Sequence, residues 1–328
     1  MLTFAVLIGG VAYVRAQWER TGPLAAPRDV VVPRGGLDHA AAELQAARVI
    51  SDPFLFRALA WLSQGEGPIR AAEFHFPAGV SPRQALTILR TARPVEHKIT
   101  IAEGLTAPQI ARLFNLADAA SGAFETIEEG SILPNTYAYE RGTARAALLA
   151  RARTAMDRAL SAAWDGRAAD LPLASPREAL ILASIVERET SLAEERPHVA
   201  AVYLNRLRNG MRLQADPTVV YGASGGTGML DHKLTRADLE RDDPFNTYRR
   251  VGLPPRPICS PGIDSLRAVT HPARSEDLFF VADGTGGHAF ARSFEAHERN
   301  VARSRAMMAG PGRTPSAVAA SPREDGLD

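Results

Sequence analysis

The segment SPREALILASIVERET, residues Ser175 to Thr190, predicts the best-defined helix of the chain, and it ends in two acids. Ser175 is a preferred N-cap residue, and the proline directly after it suits the first helical position. Glu178, three residues after the serine, completes a capping-box pattern. The helix is therefore predicted to begin at residue 176, and its apolar run leads to Glu187 and Glu189.

Helical periodicity separates the two acids. Glu189 falls on one stripe with Leu182, Ile185 and Val186, whereas Glu187 lies on nearly the opposite side and is predicted to face water. Burial and the negative end of the helix dipole would both raise the pKa of Glu189 and keep it protonated as a general acid. The alternative is a helix-end glutamate paired with an arginine of a neighbouring segment, and this helix alone leaves both open.

Closely spaced polar residues follow this helix. A second helix is predicted from Glu194 to about Asn209, and the stretch MRLQADPTVVYG comes directly after its end. Its polar and aromatic side chains would suit a sugar-binding cleft: Gln214, Asp216, Thr218 and Tyr221. The alternative is a turn capped by Asp216, with Tyr221 in the core.

Composition excludes several classes of protein and site. A chain of 328 residues with 45% hydrophobic content can bury a core and suggests two domains. Because 38 basic residues balance 37 acidic ones without a long basic block, nucleic acid is not an expected partner. The single cysteine, Cys259, cannot form an internal disulfide, and no metal-ligand spacing of His or Cys is present, so neither a metal nor a cofactor is predicted.

Composition along the chain predicts five segments. We expect a membrane anchor at 1–14, a linker at 15–27, a small α+β module at 28–95, a larger domain at 96–308 and a disordered tail at 309–328. The apolar run Leu2–Val14 is shorter than the roughly 20 residues of a spanning helix, so it is interpreted as the trailing part of an uncleaved anchor. A helix buried in a soluble body is the alternative.

The C-terminal region predicts a hairpin and a closing helix. DLFFVADGTGGHAFA has two apolar runs around a Gly-rich turn, and SFEAHERNVARSRAMM follows with helical character. His288 is predicted to be structural, His297 to lie at the surface and Cys259 to be a small buried residue.

Several of these motifs, in this order and spacing, resemble the endolytic murein transglycosylases of the MltG, or YceG-like, family. They span roughly residues 28 to 305: IAEGLT, ILPNTYAY, LASIVERET, NRLRNGMRLQADPTVVYG, FNTY, GLPPRPICSPGIDSLRAVTHPA and LFFVADGTGGHAF. The resemblance implies an α+β chain, with a small LysM-like module followed by a YceG-like catalytic domain that carries a lysozyme-like catalytic helix. It also implies a single-pass anchor in the inner membrane, a catalytic domain in the periplasm, and possible partnership with penicillin-binding glycan polymerases.

The resemblance also implies a reaction on nascent peptidoglycan glycan strands. The second acid of the E-x-E-T motif maps onto Glu189, which the helical periodicity also selects. Glu189 would protonate the glycosidic oxygen between N-acetylmuramic acid and N-acetylglucosamine, and the muramyl 6-hydroxyl would then close a 1,6-anhydro ring without water. Strand elongation would thereby be limited. The residues implied to line the cleft or hold its walls are Asn205, Arg206, Gln214, Asp216, Thr218 and Tyr221.

Two departures from the family pattern keep other functions open. Asn135 stands where the family motif has an aspartate, and AAEFHF replaces the usual Gly-x-Tyr before the second strand of the small module. One alternative is a hydrolytic muramidase with Asp216 or Glu195 as its second carboxylate, and another is a non-catalytic peptidoglycan-binding scaffold. If Glu187 faces water, its replacement by glutamine should leave activity nearly intact.

Overall fold

The structure is a computed structural model that describes residues 12–308. Residues 12–19 are helical, whereas most of the predicted anchor at 1–14 and all of the predicted tail at 309–328 lie outside the described residues. Across residues 12–308, no helix combines the length and apolar character needed to cross a bilayer.

The chain forms two compact units. The small unit holds the described residues up to Lys98, together with Asp118–Gly122 and Ala138–Ala144. The large unit holds Ile99–Ala117, Ala123–Tyr137 and the described residues from Arg145 onward. Helices predominate, and the strands of residues 12–308 pair into three two-stranded sheets, so the chain is a mixed structure of helices and short sheets.

The small unit packs three helices on one short sheet. Its elements before residue 95 are β1 (Arg28–Val31), α1 (Leu37–Ala46), α2 (Pro53–Leu62), β2 (Glu73–Phe76) and α3 (Pro82–Thr91). Strands β1 and β2 are antiparallel, with Val30 opposite Phe74. Helix α3 begins directly after Ser81, and Ser81 and Gln84 form a complete capping box.

A buried acid joins the later part of the small unit to β2. Strand β3 (Glu96–Ile101) pairs with β4 (Asn135–Glu140) in the second sheet. Glu73 of β2 accepts from His97 at 2.5 Å and from Arg141 at 2.8 Å. These two contacts supply the buried carboxylate with donors, without which its burial would cost several kcal/mol.

The large unit surrounds the helix that the sequence predicts best. Its elements are α4 (Ala107–Leu116), α5 (Arg145–Asp165), α6 (Pro176–Glu189), α7 (Arg196–Arg208), α8 (Asp216–Ala223), α9 (Arg236–Glu240), α10 (Ile263–Thr270), β5 (Phe279–Ala282), β6 (His288–Ala291) and α11 (Phe294–Met308). One core cluster joins α6, α7 and α10, and it includes Leu182, Tyr203 and Leu266. Each large apolar side chain buried there contributes about 1.5–3 kcal/mol.

Helix α6 begins where the capping residues predict. Ser175 accepts a hydrogen bond from the Glu178 amide at 3.3 Å, and Pro176 occupies the first position. Glu178 differs from the predicted box, because its carboxylate accepts from the Ala174 amide, at 2.7 Å, rather than from the N-cap amide. The helix ends at Glu189, and Thr190 is its C-cap.

The hairpin and closing helix are confirmed, but the placement of His297 is not. Strands β5 and β6 are antiparallel and α11 follows them. His297 is 6% exposed and stacks on the Phe279 ring at 5.3 Å, so the prediction of a surface position was wrong. The hairpin folds back over α11, which the helical pattern alone cannot show. Cys259 is fully buried, as predicted.

Candidate active site

Glu189 lies in the last turn of α6, and one of its two carboxyl oxygens is buried. Its Oε2 is buried and has no hydrogen-bond partner in the described part of the chain. Burial, and then the charge of Asp216, raise the pKa of Glu189 to about 7, while a hydrogen bond with Tyr203 and the charge of Arg206 oppose the rise. Glu189 can therefore carry a proton near neutral pH and release it over a small pH range.

Helix α7 supplies two buried groups to this region. Tyr203 is only 1% exposed, and burial, followed by the nearby Glu189 charge, holds the pKa of its hydroxyl well above the usual range. Arg206 donates from Nε to the Leu278 carbonyl at 2.6 Å and from a terminal nitrogen to the Leu213 carbonyl at 2.7 Å. Burial lowers the pKa of Arg206, but a guanidinium stays charged, so it places a fixed cation beside the acid.

The first residue of α8 contributes an exposed carboxylate. Asp216 begins α8 and accepts a hydrogen bond from the Tyr248 hydroxyl at 2.5 Å. Burial, and then the Asp216 charge, raise the pKa of Tyr248 far above its ordinary value, so its proton stays in this bond. Gln214 has a positive φ of 51°, and its side-chain carbonyl accepts from Arg206 at 3.3 Å. A non-glycine residue in that conformation is strained and is often found at functional sites.

A second loop holds this segment in place. The Gln214 amide donates to the Thr247 carbonyl at 3.1 Å, and the Ala215 amide donates to the Thr247 hydroxyl at 2.9 Å. The same hydroxyl lies 2.9 Å from the hydroxyl of Thr218. The FNTY motif, Phe245 to Tyr248, is therefore the support of the segment that presents Asp216.

The family model described as YceG-like matches residues 30–303. The chain belongs to the YceG-like family. That match covers both the small unit and the large unit, and it includes the helix that ends at Glu189.

Two curated proteins are similar in sequence to this YceG-like chain. It is 34% identical over 181 residues to the endolytic murein transglycosylase of Streptococcus pneumoniae strain D39, and 37% identical over 125 residues to that of Bacillus subtilis. These alignments take in 53% and 38% of this chain, but only 32% and 34% of the two relatives. The chain thus spans about a third of the length of the curated relatives it matches.

A crystal structure of a protein from Listeria monocytogenes that is described as YceG-like has the same fold. The TM-score is 0.51 at 26% sequence identity, and the match covers 84% of this chain and 99% of that one.

The structure divides the predicted cleft residues into two groups. Arg206 and Asp216 both act electrostatically on Glu189, and Gln214 contacts Arg206. The other three make contacts elsewhere. Thr218 is fully buried and donates to the Ala215 carbonyl at 2.7 Å, Tyr221 donates to Glu129 at 3.1 Å, and Asn205 donates to the carbonyls of Ser275 and Asp277 at 2.9 and 3.0 Å.

Two further residues at the site were not assigned a role from the sequence. Tyr203 lies within the predicted second helix, and Tyr248 is the last residue of the FNTY motif. Tyr248 belongs to a motif shared with the family, whereas Tyr203 stands two residues before one. What each hydroxyl contacts depends on pairing between distant segments, which no local pattern contains.

Glu187 does not face water, and that prediction was wrong. Its side chain is 4% exposed, pairs with Arg196 at 3.0 Å and accepts from the Gly262 amide at 2.8 Å. Arg196 also lies 3.5 Å from Glu103. The last turn of α6 packs between the start of α7 and the segment before α10, so the face that carries Ser184 is buried as well.

Glu195 is fully engaged and so differs from Asp216 as a candidate second carboxylate. One oxygen accepts from the His288 amide at 2.8 Å, and the other lies 2.6 Å from its Nδ1. Glu195 thereby ties the start of α7 to β6. No cluster of three His, Cys, Asp or Glu residues suited to a metal ion occurs in residues 12–308.

The small unit carries a groove of its own, with a volume of about 360 Å³. Trp61, which is 64% exposed, and Arg90 both line it. The Arg90 side chain is only 3% exposed and pairs with Glu66 at 2.9 Å, yet its Nε is buried without a partner among the described residues. The groove thus presents an exposed aromatic ring.

Proposed function

We propose that this chain contains the catalytic part of an endolytic lytic transglycosylase that cuts peptidoglycan glycan strands, with Glu189 as both acid and base. The observation that carries the proposal is the buried, unpartnered Oε2 of a glutamate whose pKa is about 7. The names of the curated relatives support the same substrate class.

The proposed reaction uses one carboxyl group twice. Protonated Glu189 gives its proton to the glycosidic oxygen between N-acetylmuramic acid and N-acetylglucosamine, and the bond to the muramyl anomeric carbon breaks. A positive charge develops on the sugar ring. The muramyl 6-hydroxyl then attacks the anomeric carbon of the same sugar, which neutralises this charge and closes the 1,6-anhydro ring. Glu189 takes the proton released by that hydroxyl, so the acid is restored and no water is consumed. The product end is a 1,6-anhydro sugar.

Asp216 supports both halves of this reaction. Its negative charge raises the pKa of Glu189, which favours the protonated acid before the first step. The same charge stabilises an oxocarbenium-like transition state, and the bond from Tyr248 keeps the carboxylate in position. Arg206 limits the effect by favouring ionised Glu189, so the pKa stays near the working pH.

Replacement of Glu189 by glutamine tests the proposed function. Glutamine keeps the shape of the side chain but cannot donate an acidic proton, so cleavage of uncrosslinked glycan strands should slow by at least about 100-fold. Glu194→Gln is the matched control, because Glu194 is an exposed glutamate five residues further on, and it should cleave like the parent. Equal cleavage by Glu189→Gln and the parent would contradict the proposal and favour a non-catalytic scaffold.

A hydrolytic muramidase is the second candidate, and the exposed Asp216 carboxylate favours it. In that reaction Asp216 would activate water or form a covalent intermediate. Its bond with Tyr248 uses one carboxylate oxygen and argues for an electrostatic role instead. Glu195 is less suited, because both of its oxygens are already bonded to His288. The chemical nature of the new chain ends separates the two reactions.

We also propose that the small unit is a LysM-like module that binds glycan in its groove. The exposed ring of Trp61 can stack on a sugar. In a Glu189→Gln background, Trp61→Ala should weaken retention on insoluble peptidoglycan roughly tenfold. Phe54→Ala removes a comparably exposed ring of the same helix that is not part of the groove, and it should bind normally. Equal retention of the two variants would refute this role.

Location and partners follow from the same proposal. The apolar run Leu2–Val14 would belong to a single-pass anchor in the inner membrane, with the catalytic domain in the periplasm. There the enzyme could meet penicillin-binding glycan polymerases and limit strand elongation. Cell fractionation should recover the full chain with membranes and a chain lacking residues 1–14 away from them. Recovery of the full chain in the soluble fraction would contradict the anchor.

A further inference from the structure

Gln214 lies on the accessible side of a segment that packs against the end of α6. Its neighbours Leu213 and Ala215 are fully buried in the core cluster that also holds Val186, from the last turn of α6. Gln214 itself is half-buried, and Asp216 is exposed. Burial therefore alternates along residues 213–216, and the side chains of Gln214 and Asp216 are the two that remain accessible.

The side-chain amide of Gln214 has a fixed orientation. Arg206 has only N–H donors, so the Gln214 atom that lies 3.3 Å from its terminal nitrogen is the carbonyl oxygen. Arg206 is buried and is held by the Leu213 carbonyl at 2.7 Å and the Leu278 carbonyl at 2.6 Å. The amide nitrogen of the Gln214 side chain therefore faces away from Arg206, and it has no acceptor within residues 12–308.

The backbone of Gln214 adopts a conformation that is unfavourable for glutamine. Its φ is 51°, in the left-handed region, where every residue with a Cβ is strained. The bond from the Gln214 amide to the Thr247 carbonyl, at 3.1 Å, stabilises this conformation. Glycine would adopt the same φ without strain. Backbone stability therefore does not account for a glutamine at this position, whereas a role for its side chain does.

We propose that Gln214 is a specificity-determining residue whose side-chain nitrogen donates to the carbonyl oxygen of an acetamido group on the sugar bound beside Glu189. The inference rests on the proposed cleavage of peptidoglycan glycan strands. Because the oxygen of the Gln214 side chain is directed at Arg206, the side chain offers donors to a ligand and selects for an acceptor. An acetamido carbonyl is such an acceptor, and both N-acetylmuramic acid and N-acetylglucosamine carry one.

The test combines one substitution with one chemical change in the substrate. Gln214→Met keeps the length of the side chain and removes its donors, while Arg206 retains the Leu213 and Leu278 carbonyls. On uncrosslinked, N-acetylated strands, kcat/KM of the variant should fall roughly tenfold below that of the parent. On strands whose acetyl groups have been removed enzymatically, the parent should itself be slowed and the variant should be no slower than the parent. An equal loss on both substrates would overturn the proposal.

Gln214→Gly separates binding of the substrate from folding. Because glycine adopts a φ of 51° without strain, the urea midpoint of this variant should be no lower than that of the parent. Its kcat/KM on acetylated strands should nevertheless fall as in Gln214→Met, and a glycine variant that cleaves like the parent would overturn the proposal.

Gln45→Met is the matched control for the substitution. Gln45 is an exposed glutamine of α1 in the small unit, so this variant should cleave both substrates like the parent. A loss equal to that of Gln214→Met, confined to acetylated strands, would overturn the assignment to Gln214.

Binding distinguishes failure of this inference from failure of the proposed function. Calorimetry measures the affinity for soluble strands in a background of Glu189→Gln and Trp61→Ala, which removes the proposed acid and the exposed ring of the small-unit groove. Added Gln214→Met should weaken binding of acetylated strands roughly tenfold and leave binding of deacetylated strands unchanged. If the parent does not cleave glycan, the proposed function fails, and this comparison still decides the role of Gln214. If the parent cleaves glycan and Gln214→Met weakens binding of both substrates or of neither, only the inference about Gln214 fails.

Discussion

Two acids separated by one residue have different environments at the end of α6. Glu187 pairs with Arg196 at 3.0 Å and accepts a hydrogen bond from the Gly262 amide at 2.8 Å. Glu189 has an unpartnered oxygen and a pKa of about 7. The contacts of Glu187 stabilise the fold. Glu189 lowers the stability of the fold when it is ionised, and it serves as a proton donor when it is protonated.

The pH dependence of cleavage should report Glu189 directly. The acid must be protonated in the free enzyme, so kcat/KM should fall as the pH rises through about 7. Asp216→Asn removes a charge that raises this pKa, and the alkaline limb should therefore move to lower pH. Measurement of kcat/KM against pH for the parent and for Asp216→Asn shows in which direction the alkaline limb moves. A limb that moves upward in the variant would show that Asp216 does not act on Glu189 electrostatically.

Glu189→Gln should also change stability in a pH-dependent way. The folded pKa of Glu189 lies above its ordinary value of 4.5, so the parent loses stability as pH rises from about 4.5 to about 7. The uncharged variant lacks this loss and should be about 3 kcal/mol more stable at pH 8, with no such gain near pH 4. Urea unfolding at the two pH values measures the difference. If the variant is more stable than the parent by the same amount at both pH values, the gain comes from packing and not from the removed charge.

Glu187→Gln should destabilise the protein. Among residues 12–308, it leaves Arg196 with only the more distant Glu103, at 3.5 Å, as an acidic partner. The Arg196 side chain is 9% exposed, and its Nε has no partner in that same range. Breaking a buried ion pair from one side costs about 3–5 kcal/mol, and the remaining pair should reduce this to about 2–4 kcal/mol. Unfolding midpoints of this variant and of Glu194→Gln provide the comparison. If Glu187→Gln is as stable as Glu194→Gln, Glu187 faces solvent, as helical periodicity predicts.

Helical periodicity placed Glu189 correctly, on the buried apolar face of α6. It misplaced Glu187, because the burial of the opposite face depends on contacts with other segments. The stripe of Leu182, Ile185 and Val186 is buried, as predicted. The opposite face carries Ala183 and Ser184, which are small and mildly polar and so predict exposure, yet both are fully buried. Small residues allow close approach of neighbouring segments, and which segment approaches is decided by the whole fold.

At the scale of elements, the site depends on two loops that bind each other. The segment that presents Asp216 lacks regular structure before α8, and its amides are bonded to Thr247. Thr218 adds a bond to the same hydroxyl at 2.9 Å. One threonine therefore satisfies donors of a segment some thirty residues away, and it fixes the approach of α8 to Glu189.

Thr247→Val tests this dependence. Valine keeps the shape of threonine but leaves the buried Ala215 amide without its acceptor, which should cost about 1–3 kcal/mol. Cleavage should fall as well, because Asp216 is no longer fixed relative to Glu189. Thr87→Val removes an exposed hydroxyl bonded to the Arg83 carbonyl and should be nearly neutral. Chemical unfolding and cleavage rates provide both readouts, and a Thr247 variant as stable as the control would contradict the role of this loop.

Elements with local signals were predictable, and contacts between elements were not. The starts of α3 and α6 follow from their serine caps and prolines, and the hairpin β5–β6 follows from its Gly-rich turn. Asn205 and Tyr221 were assigned to the cleft from their motif, yet their side chains bond to residues about 70 and 92 positions away. Local sequence cannot specify partners at that distance.

At the scale of the whole molecule, the chain crosses between its two units more than once. The composition places a boundary after residue 95, whereas the small unit extends to Lys98 and takes in Asp118–Gly122 and Ala138–Ala144. Arg141 explains part of this arrangement, because it bonds to buried Glu73 at 2.8 Å. A single linear boundary cannot describe such a chain. Nothing in the local composition of residues 138–144 distinguishes them from their neighbours.

The chemical nature of newly made strand ends tests the central claim most directly. Uncrosslinked glycan strands are digested with the protein or with its Glu189→Gln variant, and the new ends are analysed by mass spectrometry. The proposed transglycosylase predicts 1,6-anhydro-muramyl ends, lighter than reducing ends by one water molecule, from the parent and almost none from the variant. Reducing ends in their place would show hydrolysis, and equal amounts of either end from both proteins would show that Glu189 is not the acid.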